Sequence, residues 1–450
     1  MAATALPYTY RYPFESAIAE RASQPAARLA AGLDGTSEDL FFSGRPKSPA
    51  ALARGLLCVA DIVRTRFYKP RPPALLDPVV TSGGGWLRVE GFSACGGVYA
   101  RADVDASAFD CDLRGKGTTN VDFNEPMRRA LRRLRDTDAA QIHVGGEAFE
   151  LEVEEGCIVE RKVKLPTRWI RGFCEVQAYQ PRLVPVADAT AADAQQLLTR
   201  LPPRSRAWVA KTGAIWRWAG SSGSGARGGT AFVGDPSRLK PLQPLIRDVT
   251  GLRVWADEEA ETSAFQIATE WGRLFVMLSP GGPRGFSGEG QALDCLAVGR
   301  WQEAIGPTTE SLRFGSSIDS AAIAARERMP EQDIAAALAV LGTRGVTGYD
   351  AEMGRYFHRV LPFEIDAVED TQPRLKAARK LVDAVTILSE TDGLLTASVP
   401  GSHGDHIVRI KPDGDRCTCP WGVRHRGSRG PCKHVLAVRI ATTGEVPAEA

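Results

Sequence analysis

The sequence predicts a multidomain α+β protein that ends in a small ββα metal-binding unit, with a winged-helix-like segment before it. Three observations lead to this fold class. The chain has 450 residues, which exceeds the length over which one hydrophobic core keeps growing. Runs with the two-residue period of strands alternate with runs that have helical spacing. Cysteine and histidine residues gather between positions 417 and 434 in a pattern typical of metal binding.

The first part of the chain has features of both helices and strands. Residues 56–63 carry apolar side chains at helical spacing, and the prolines within 69–78 end that helix. Residues 86–104 and 141–177 alternate apolar with polar or small side chains between glycine turns, as antiparallel strands do. Asn124 and Pro126 suit the start of an amphipathic, arginine-rich helix. We therefore predict an N-terminal α+β domain over residues 1–180.

The next part has a similar mixture. Residues 189–201 and 239–249 have helical patterns, and a loop rich in glycine and serine covers 221–229. The predicted strands lie within 206–218, 252–255 and 265–278. These patterns predict a middle α+β domain over residues 181–300.

Residues 301–370 have a different order of predicted elements, with helices before strands. Two helical patterns, 318–329 and 331–341, come before two strand-like runs, 345–350 and 355–363. This order resembles a winged helix, although any small helix pair packed on a hairpin has the same pattern. A linker helix over 372–388 then introduces the last unit, 371–450.

Composition and charge limit which binding partners and cellular compartments the sequence indicates. Lys and Arg number 56 against 54 Asp and Glu, a net charge of +2, so only local clustering of charge could indicate a polyanionic partner. No run approaches the 18 apolar residues of a membrane-spanning helix, and the first thirty residues lack the apolar stretch of a signal peptide. We expect a cytoplasmic protein with no membrane partner.

Three of the nine cysteines lie close together near the C-terminus, as Cys417, Cys419 and Cys432, and His434 follows them. Three thiolates and one imidazole suit Zn²⁺, which takes tetrahedral sulfur and nitrogen ligands. Because four protein ligands leave no open position for a reactive water, the predicted site is structural. The other six cysteines are scattered and are predicted to be small buried thiols, namely Cys58, Cys95, Cys111, Cys157, Cys174 and Cys295.

The spacing of the ligands predicts their local structure. Cys417 and Cys419 are two positions apart, so on an extended strand they point to the same side. Cys432 and His434 follow a Gly-Pro pair and begin a helical pattern over 433–440. The prediction is a ββα unit with the second ligand pair at the first turn of its helix. His403, His406 and His425 lack a regular offset from the cysteines and are expected to be ordinary solvated histidines.

The pattern Cys-x-Cys, spacer, Cys-x-His, with a preceding hairpin, a following helix and the Pro420-Trp421 pair, resembles the SWIM zinc finger over residues 406–450. The resemblance implies bound zinc and a DNA or protein partner. Two further runs, 118–124 and 165–170, resemble bacterial SWIM proteins found alongside MoxR-type ATPases and von Willebrand A domain proteins. That resemblance implies an adaptor subunit with one of these proteins as its partner.

The finger also carries a local excess of positive charge, because the window 416–439 contains no acidic residue. Such a surface can contact phosphates, with aromatic rings available for stacking. Solvation of a short loop, or contact with an acidic protein surface, would use the same charges. The predicted nucleic-acid-binding residues are Arg416, Trp421, Arg424, Arg426, Arg429 and Lys433.

No motif in the sequence indicates catalysis. Residues 115–119 contain a Gly-Lys pair, but position 110 is Asp and a glycine follows the lysine, so the phosphate-loop pattern fails. The chain lacks a nucleophile elbow and an HExxH motif. We therefore predict a binding protein and not an enzyme. Two alternatives stay open: an adaptor that does not bind nucleic acid, and an enzyme in the N-terminal body that the finger targets to its substrate.

Overall fold

The structure is a computed structural model of the 450-residue chain. Its described residues are 18–21, 24–27, 40–67, 78–163, 165, 167–203, 206–220, 230–280, 285–288, 301–312, 317–361, 373–391, 393–402, 404–411, 414–427 and 430–443. The predicted glycine-rich loop over 221–229 lies outside these residues. Within the described part of the chain, no helix is long and apolar enough to cross a membrane.

Helices and strands both contribute, so the predicted α+β class is confirmed. The strands are β1 (Ile18–Arg21), β2 (Gln24–Ala27), β3 (Leu40–Pro46), β4 (Val79–Gly83), β5 (Trp86–Phe92), β6 (Val98–Asp105), β7 (Phe109–Arg114), β8 (Gly117–Asn120), β9 (Gln141–Gly145), β10 (Ala148–Val153), β11 (Gly156–Arg161), β12 (Val184–Thr190), β13 (Ala207–Thr212), β14 (Ile215–Ala219), β15 (Thr230–Gly234), β16 (Gly251–Asp257), β17 (Thr262–Thr269), β18 (Gly272–Leu278), β19 (Ser317–Ile318), β20 (Thr347–Asp350), β21 (Arg355–His358), β22 (Thr386–Thr391), β23 (Leu394–Val399), β24 (His406–Ile410) and β25 (Arg416–Cys417). The α-helices are α1 (Pro49–Arg64), α2 (Glu125–Arg133), α3 (Thr167–Tyr179), α4 (Ala191–Thr199), α5 (Trp301–Glu310), α6 (Ser320–Glu327), α7 (Glu331–Thr343), α8 (Pro373–Arg379), α9 (Pro420–His425) and α10 (Lys433–Thr443).

An eight-stranded antiparallel sheet, in the order β12-β16-β17-β18-β6-β5-β4-β8, forms the centre of the body. Strand β18 pairs with β6 along their length, from Gly272 opposite Val104 to Leu278 opposite Val98. Strands from both sides of residue 180 therefore lie in one sheet. The division at residue 180 stays a prediction.

Two smaller sheets complete the body. One has the order β11-β10-β9-β3-β7, and the other has the order β14-β13-β15. The strand pair predicted within 206–218 is the β13–β14 hairpin. The helix predicted over 239–249 is instead a 3-10 segment, Pro236–Asp248, because Pro241 and Pro244 lie inside it and cannot donate the backbone hydrogen bonds of an α-helix.

The two faces of the large sheet differ in chemistry. Along β6, Val98, Ala100 and Ala102 alternate with Tyr99 and Arg101, and all of them are buried. Helix α1 packs against β5 and β6. Its apolar side chains belong to a hydrophobic core that runs through the described residues from position 41 to 286 and includes Leu361. The other face carries arginine and carboxylate side chains that are also buried, so a second layer covers it.

Residues 301–361 supply that layer. Helices α6 and α7 come before the β20–β21 hairpin, as predicted for a winged-helix-like segment, and the short β19 joins the hairpin in the order β19-β21-β20. Helix α7 packs against α3 and α5. The hairpin faces the large sheet, where the Arg101 guanidinium donates to the Tyr349 carbonyl at 2.9 Å and the Arg359 guanidinium pairs with Glu90.

The C-terminal unit is built on a four-stranded sheet in the order β22-β23-β24-β25. The predicted linker helix over 372–388 is wrong in length, since α8 ends at Arg379 and β22 begins at Thr386. Thr386 pairs with Ser398 in β23, so these residues extend the sheet of the finger. The last two strands and α10 form the predicted ββα arrangement, with the short α9 between them.

Candidate metal centre and the basic surface beside it

The first ligand pair lies where β25 turns into α9. Cys417 is opposite Val408 of β24, and Cys419 caps α9 by accepting the Gly422 N–H at its Sγ at 3.2 Å. The Cys419 N–H donates to Cys417 Sγ at 3.4 Å. A β-carbon at Gly422 would lie 2.5 Å from the Cys417 carbonyl oxygen, so only glycine fits this turn without displacing the backbone.

The second ligand pair begins α10. Cys432 directly precedes the helix, and the Val435 N–H donates to its Sγ at 3.5 Å. His434 turns its Nδ1 atom toward Cys417 Sγ at 3.8 Å and Cys432 Sγ at 3.9 Å. The nitrogen that faces the sulfurs is therefore Nδ1. Sequence spacing identified this residue but could not distinguish its two ring nitrogens.

These four side chains form a set that zinc fits. All four are buried, and one ligand atom from each lies within 4.8 Å of every other. A tetrahedral Zn²⁺ with bonds of about 2.0–2.3 Å separates its ligand atoms by roughly 3.3–3.8 Å, close to the observed sulfur–nitrogen distances. Because the protein supplies all four ligands, the site suits a structural role.

The three thiols affect one another's pKa values. A hydrogen bond with Cys417 lowers the pKa of Cys432 to about 4, and the same hydrogen bond raises the pKa of Cys417. Burial raises the pKa of Cys419. Metal ligands must be deprotonated, so a divalent ion favours the thiolate form of all three cysteines.

The neighbouring histidines lie outside the set of ligands. The His406 ring centroid is 4.5 Å from that of His434, but His406 does not belong to the cluster of four. His425 contacts the Trp421 ring at 4.4 Å. His403 lies outside the described residues.

The predicted basic surface has three exposed arginines. Arg416, Arg424 and Arg426 are exposed, and none of them makes an ion pair with the described residues. Lys433 is half-buried at the start of α10. Arg429 lies outside the described residues. The structure therefore leaves three guanidinium groups beside the metal centre without a counter-charge from the described chain.

Trp421 has a packing role that the sequence did not indicate. Its ring contacts His425 and also the Arg374 guanidinium, which lies 4.5 Å from the ring centroid. Its Nε1–H donates to the Gly430 carbonyl at 3.4 Å. These contacts join α9 to α8. His425 and Arg374 therefore already contact the ring that was predicted to stack on a base.

Arg409 is a further basic residue that sequence spacing missed. It lies directly opposite Arg416 across the β24–β25 ladder, and both side chains are exposed. Opposed residues in an antiparallel pair point to the same side, and like charges in that position repel. Recognising Arg409 as part of the basic surface requires the register of β24 and β25, which the sequence alone did not provide.

Some arginines in and beside α2 differ from those of the finger because acids neutralise them. Arg128 pairs with Asp61, Arg132 pairs with Glu125 at 2.9 Å, and Arg135, just beyond the helix, pairs with Asp138 at 3.2 Å. Three arginines of this stretch are therefore paired with acids, whereas Arg129 and Arg133 are exposed and make no ion pair with the described residues.

A cleft separates the finger from the body. Its volume is about 450 Å³. Arg416, Trp421 and Arg426 line it on the finger side, and Arg182 and Glu259 line it on the body side. The metal centre forms part of its wall, because Cys417 and Cys432 also contribute to the lining.

Comparison with known proteins identifies one part of the chain. The SWIM zinc finger family matches residues 406–441. No curated protein sequence matches significantly. Solved structures that are similar to part of the chain include two that share little sequence identity with it. Proliferating cellular nuclear antigen from Entamoeba histolytica is 10% identical, with 54% of this chain and 100% of that chain covered and a TM-score of 0.37.

The PCNA2–PCNA3 complex from Sulfolobus tokodaii is 8% identical, with 53% of this chain and 98% of that chain covered and a TM-score of 0.40. For the finger, the family match and the geometry agree. Residues 406–441 are a SWIM zinc finger, in which Cys417, Cys419, Cys432 and His434 are positioned to bind one zinc ion.

Proposed function

We propose that this chain is a zinc-dependent nucleic-acid-binding protein whose finger contacts phosphate groups. The observation that carries the proposal is the set of exposed arginines around the finger, Arg409, Arg416, Arg424 and Arg426, which make no ion pair with the described residues. Exposed cations that are not neutralised within the protein attract polyanions, and binding releases the counterions of the polyanion.

Zinc serves this function by fixing the positions of the basic residues. Arg416 directly precedes the ligand Cys417, while Arg424 and Arg426 follow the ligand Cys419 through the short helix α9. Joining these segments to α10 through one ion sets the spacing between their guanidinium groups. Because folding of such a unit is coupled to metal binding, we expect nucleic-acid binding to require zinc.

The proposed activity is binding without catalysis. Four protein ligands fill the tetrahedral zinc shell, so the metal offers no position for a reactive water. An enzyme in the body, targeted by the finger, is the alternative. A hydrolytic or transferase activity that survives deletion of residues 401–450 would support that alternative.

The test measures affinity for nucleic acid as a function of salt. Wild type, Arg416→Ala and Arg426→Ala are titrated against labelled oligonucleotides between 50 and 200 mM salt, with Arg217→Ala as a matched control because Arg217 is an exposed arginine of the body. Each finger variant should lower affinity and reduce the slope of log K against log salt by about 0.7–0.9, the contribution of one phosphate contact. Zinc content should remain at one equivalent per chain.

Absence of binding by the wild type at 50 mM salt would contradict the proposal. An equal loss of affinity in Arg217→Ala would also contradict it, because attraction would then follow total charge and would not depend on the finger.

A protein partner is the second candidate, and one feature favours it. Strand β22 lies at the edge of the finger sheet with all six residues exposed, including Ile387 (46% exposed) and Leu388 (54% exposed). An exposed edge strand can accept an added strand from another chain. This candidate corresponds to an adaptor in a MoxR or von Willebrand A assembly. Its test is whether Leu388→Lys prevents binding to a purified MoxR-type ATPase.

A further inference from the structure

We infer that the cleft between the finger and the body holds one unpaired nucleotide of a nucleic-acid strand whose neighbouring phosphate lies on the finger. The inference rests on the proposed function and adds a preference for single strands over duplex. It also assigns a binding role to residues of the body, Arg182 and Glu259, that the finger motif does not include.

The size of the cleft favours a single nucleotide. Its volume of about 450 Å³ falls within the range of roughly 300–1,000 Å³ that is usual for pockets that bind small molecules. A double helix cannot enter a space of this size, whereas one unstacked nucleotide can. Gly427 and Gly430 line the wall, so backbone amides and carbonyls border the cavity without side chains in front of them.

The charge of the cleft favours an anion. Arg182 pairs with Asp257 at 2.8 Å and with Glu259 at 3.4 Å, and Arg439 pairs with Asp415 at 2.5 Å. These pairs place two cations, Arg182 and Arg439, against three carboxylates. Arg416 and Arg426 also line the cavity and make no ion pair with the described residues, so the balance of charge there is positive.

The route into the cleft is also positively charged. Arg409 and Arg416 are opposed on the β24–β25 ladder, and a phosphate between them would replace their repulsion with two attractive contacts. Arg416 lines the cleft as well, so one residue belongs to both surfaces. A strand whose phosphate lies on this arginine pair therefore has its next nucleotide beside the opening of the cleft.

The side chains from the body are accessible to such a ligand. The Arg182 side chain is 40% exposed, and the Glu259 side chain is 91% exposed. Because Arg182 and Glu259 have opposite charges at the same edge of the cleft, they should change the affinity for an anionic ligand in opposite directions. Replacing the arginine weakens binding, and removing the charge of the glutamate strengthens it.

The experiment compares a labelled single-stranded oligonucleotide with a blunt duplex of the same sequence. The variants are Arg182→Gln and Glu259→Gln, with Glu270→Gln as a matched control because Glu270 is an exposed acid outside the cleft lining. We expect the ratio of single-strand to duplex affinity to fall several-fold in Arg182→Gln, to rise in Glu259→Gln and to stay unchanged in Glu270→Gln. Zinc content and melting temperature are measured for each protein.

The outcomes separate this inference from the proposed function. If wild type binds both nucleic acids but neither cleft variant changes the ratio, the cleft inference is wrong and the proposed function stands. If wild type binds neither, both fail. Competition with adenosine monophosphate completes the test, because a free nucleotide that binds as tightly as the oligonucleotide would overturn the assignment of the cleft to a strand.

Discussion

A single buried carboxylate organises the polar face of the large sheet. Asp103 is fully buried and accepts hydrogen bonds from Nε of Arg88 at 3.0 Å, of Arg101 at 3.1 Å and of Arg273 at 3.0 Å. Burial alone would raise the pKa of Asp103, but the charges of the three arginines outweigh burial and hold that pKa well below its ordinary value. The ionised form is therefore part of the folded state.

We predict that Asp103→Asn destabilises the protein by about 3–5 kcal/mol at pH 7, the usual cost of leaving buried charges without their partner. Denaturant unfolding measures the difference, with Asp110→Asn as a matched control because Asp110 is exposed. The folded-state pKa of Asp103 is lower than its unfolded-state value of about 3.9. Its stabilisation is therefore complete well above pH 4 and declines as the pH falls toward the folded-state pKa.

The difference between wild type and Asp103→Asn should accordingly shrink below about pH 4. A difference that is the same at pH 3 and pH 7 would contradict the assigned ionisation. An equal destabilisation by Asp110→Asn would show that the loss does not depend on the buried position.

The sequence identified some of these residues and missed others for a physical reason. The zinc ligands are close in sequence, so their spacing was sufficient to predict their shared site. The Arg101–Asp103 network depends on Tyr349 and Asp350, and the sequence separation between Arg101 and Tyr349 is 248 positions. Alternating charges on a strand are typical of a face in water, and only the folded chain reveals the layer that covers them.

At the scale of elements, helix α3 shows how a pattern was misinterpreted. The alternation over residues 141–177 predicted strands, but the strands end at Arg161 and Thr167–Tyr179 is helical. Trp169, Phe173 and Val176 are buried at spacings of four and three, which is the period of one helix face. Short apolar runs fit the period of a strand as well as that of a helix. In the helical arrangement, Trp169 and Phe173 pack on Phe92, and their ring centroids lie 5.8 Å and 5.0 Å from that of Phe92.

The second helix of the winged-helix-like segment was predicted over 331–341 and lies at Glu331–Thr343, but the sequence did not indicate what it packs against. In α7, Ile334, Ala337 and Leu338 are fully buried, and the helix packs against α3 and α5. Its exposed first turn contains Glu331 and Gln332 and offers no cation. We infer that this segment is a structural layer of the body and does not insert α7 into a groove of DNA.

Gln332→Ala should therefore leave affinity for nucleic acid unchanged, because the substitution alters the exposed end of α7 and not the finger. The comparison is Arg424→Ala, which removes a cation from the finger and should reduce the salt slope by about 0.7–0.9. Both are measured by the same oligonucleotide titration. A loss of affinity in Gln332→Ala similar to that in Arg424→Ala would show that α7 contacts nucleic acid.

At the scale of the whole molecule, the described residues form two hydrophobic cores. The first runs through the body from Phe41 to Phe286 and includes Leu361. The second combines Trp301 and Leu338 of the helical segment with α8, the finger sheet and α10. Cys417, Cys419 and Cys432 belong to this second core, so the zinc centre is a part of a larger packed unit. The sequence motif, which covers only the finger, gave no indication of this packing.

Removal of zinc should consequently loosen the second core beyond the finger. Without the metal, the buried thiols lose the ion that holds β25 and α9 against α10, and the side chains of α8 and α7 lose packed neighbours. Hydrogen–deuterium exchange after chelation should show faster exchange in α5, α7 and α10, while β17 and β18 remain protected within the first core. Arg416→Ala, which retains the ligands, should match the untreated wild type. Faster exchange confined to residues 406–441 would instead show that the finger folds independently of its neighbours.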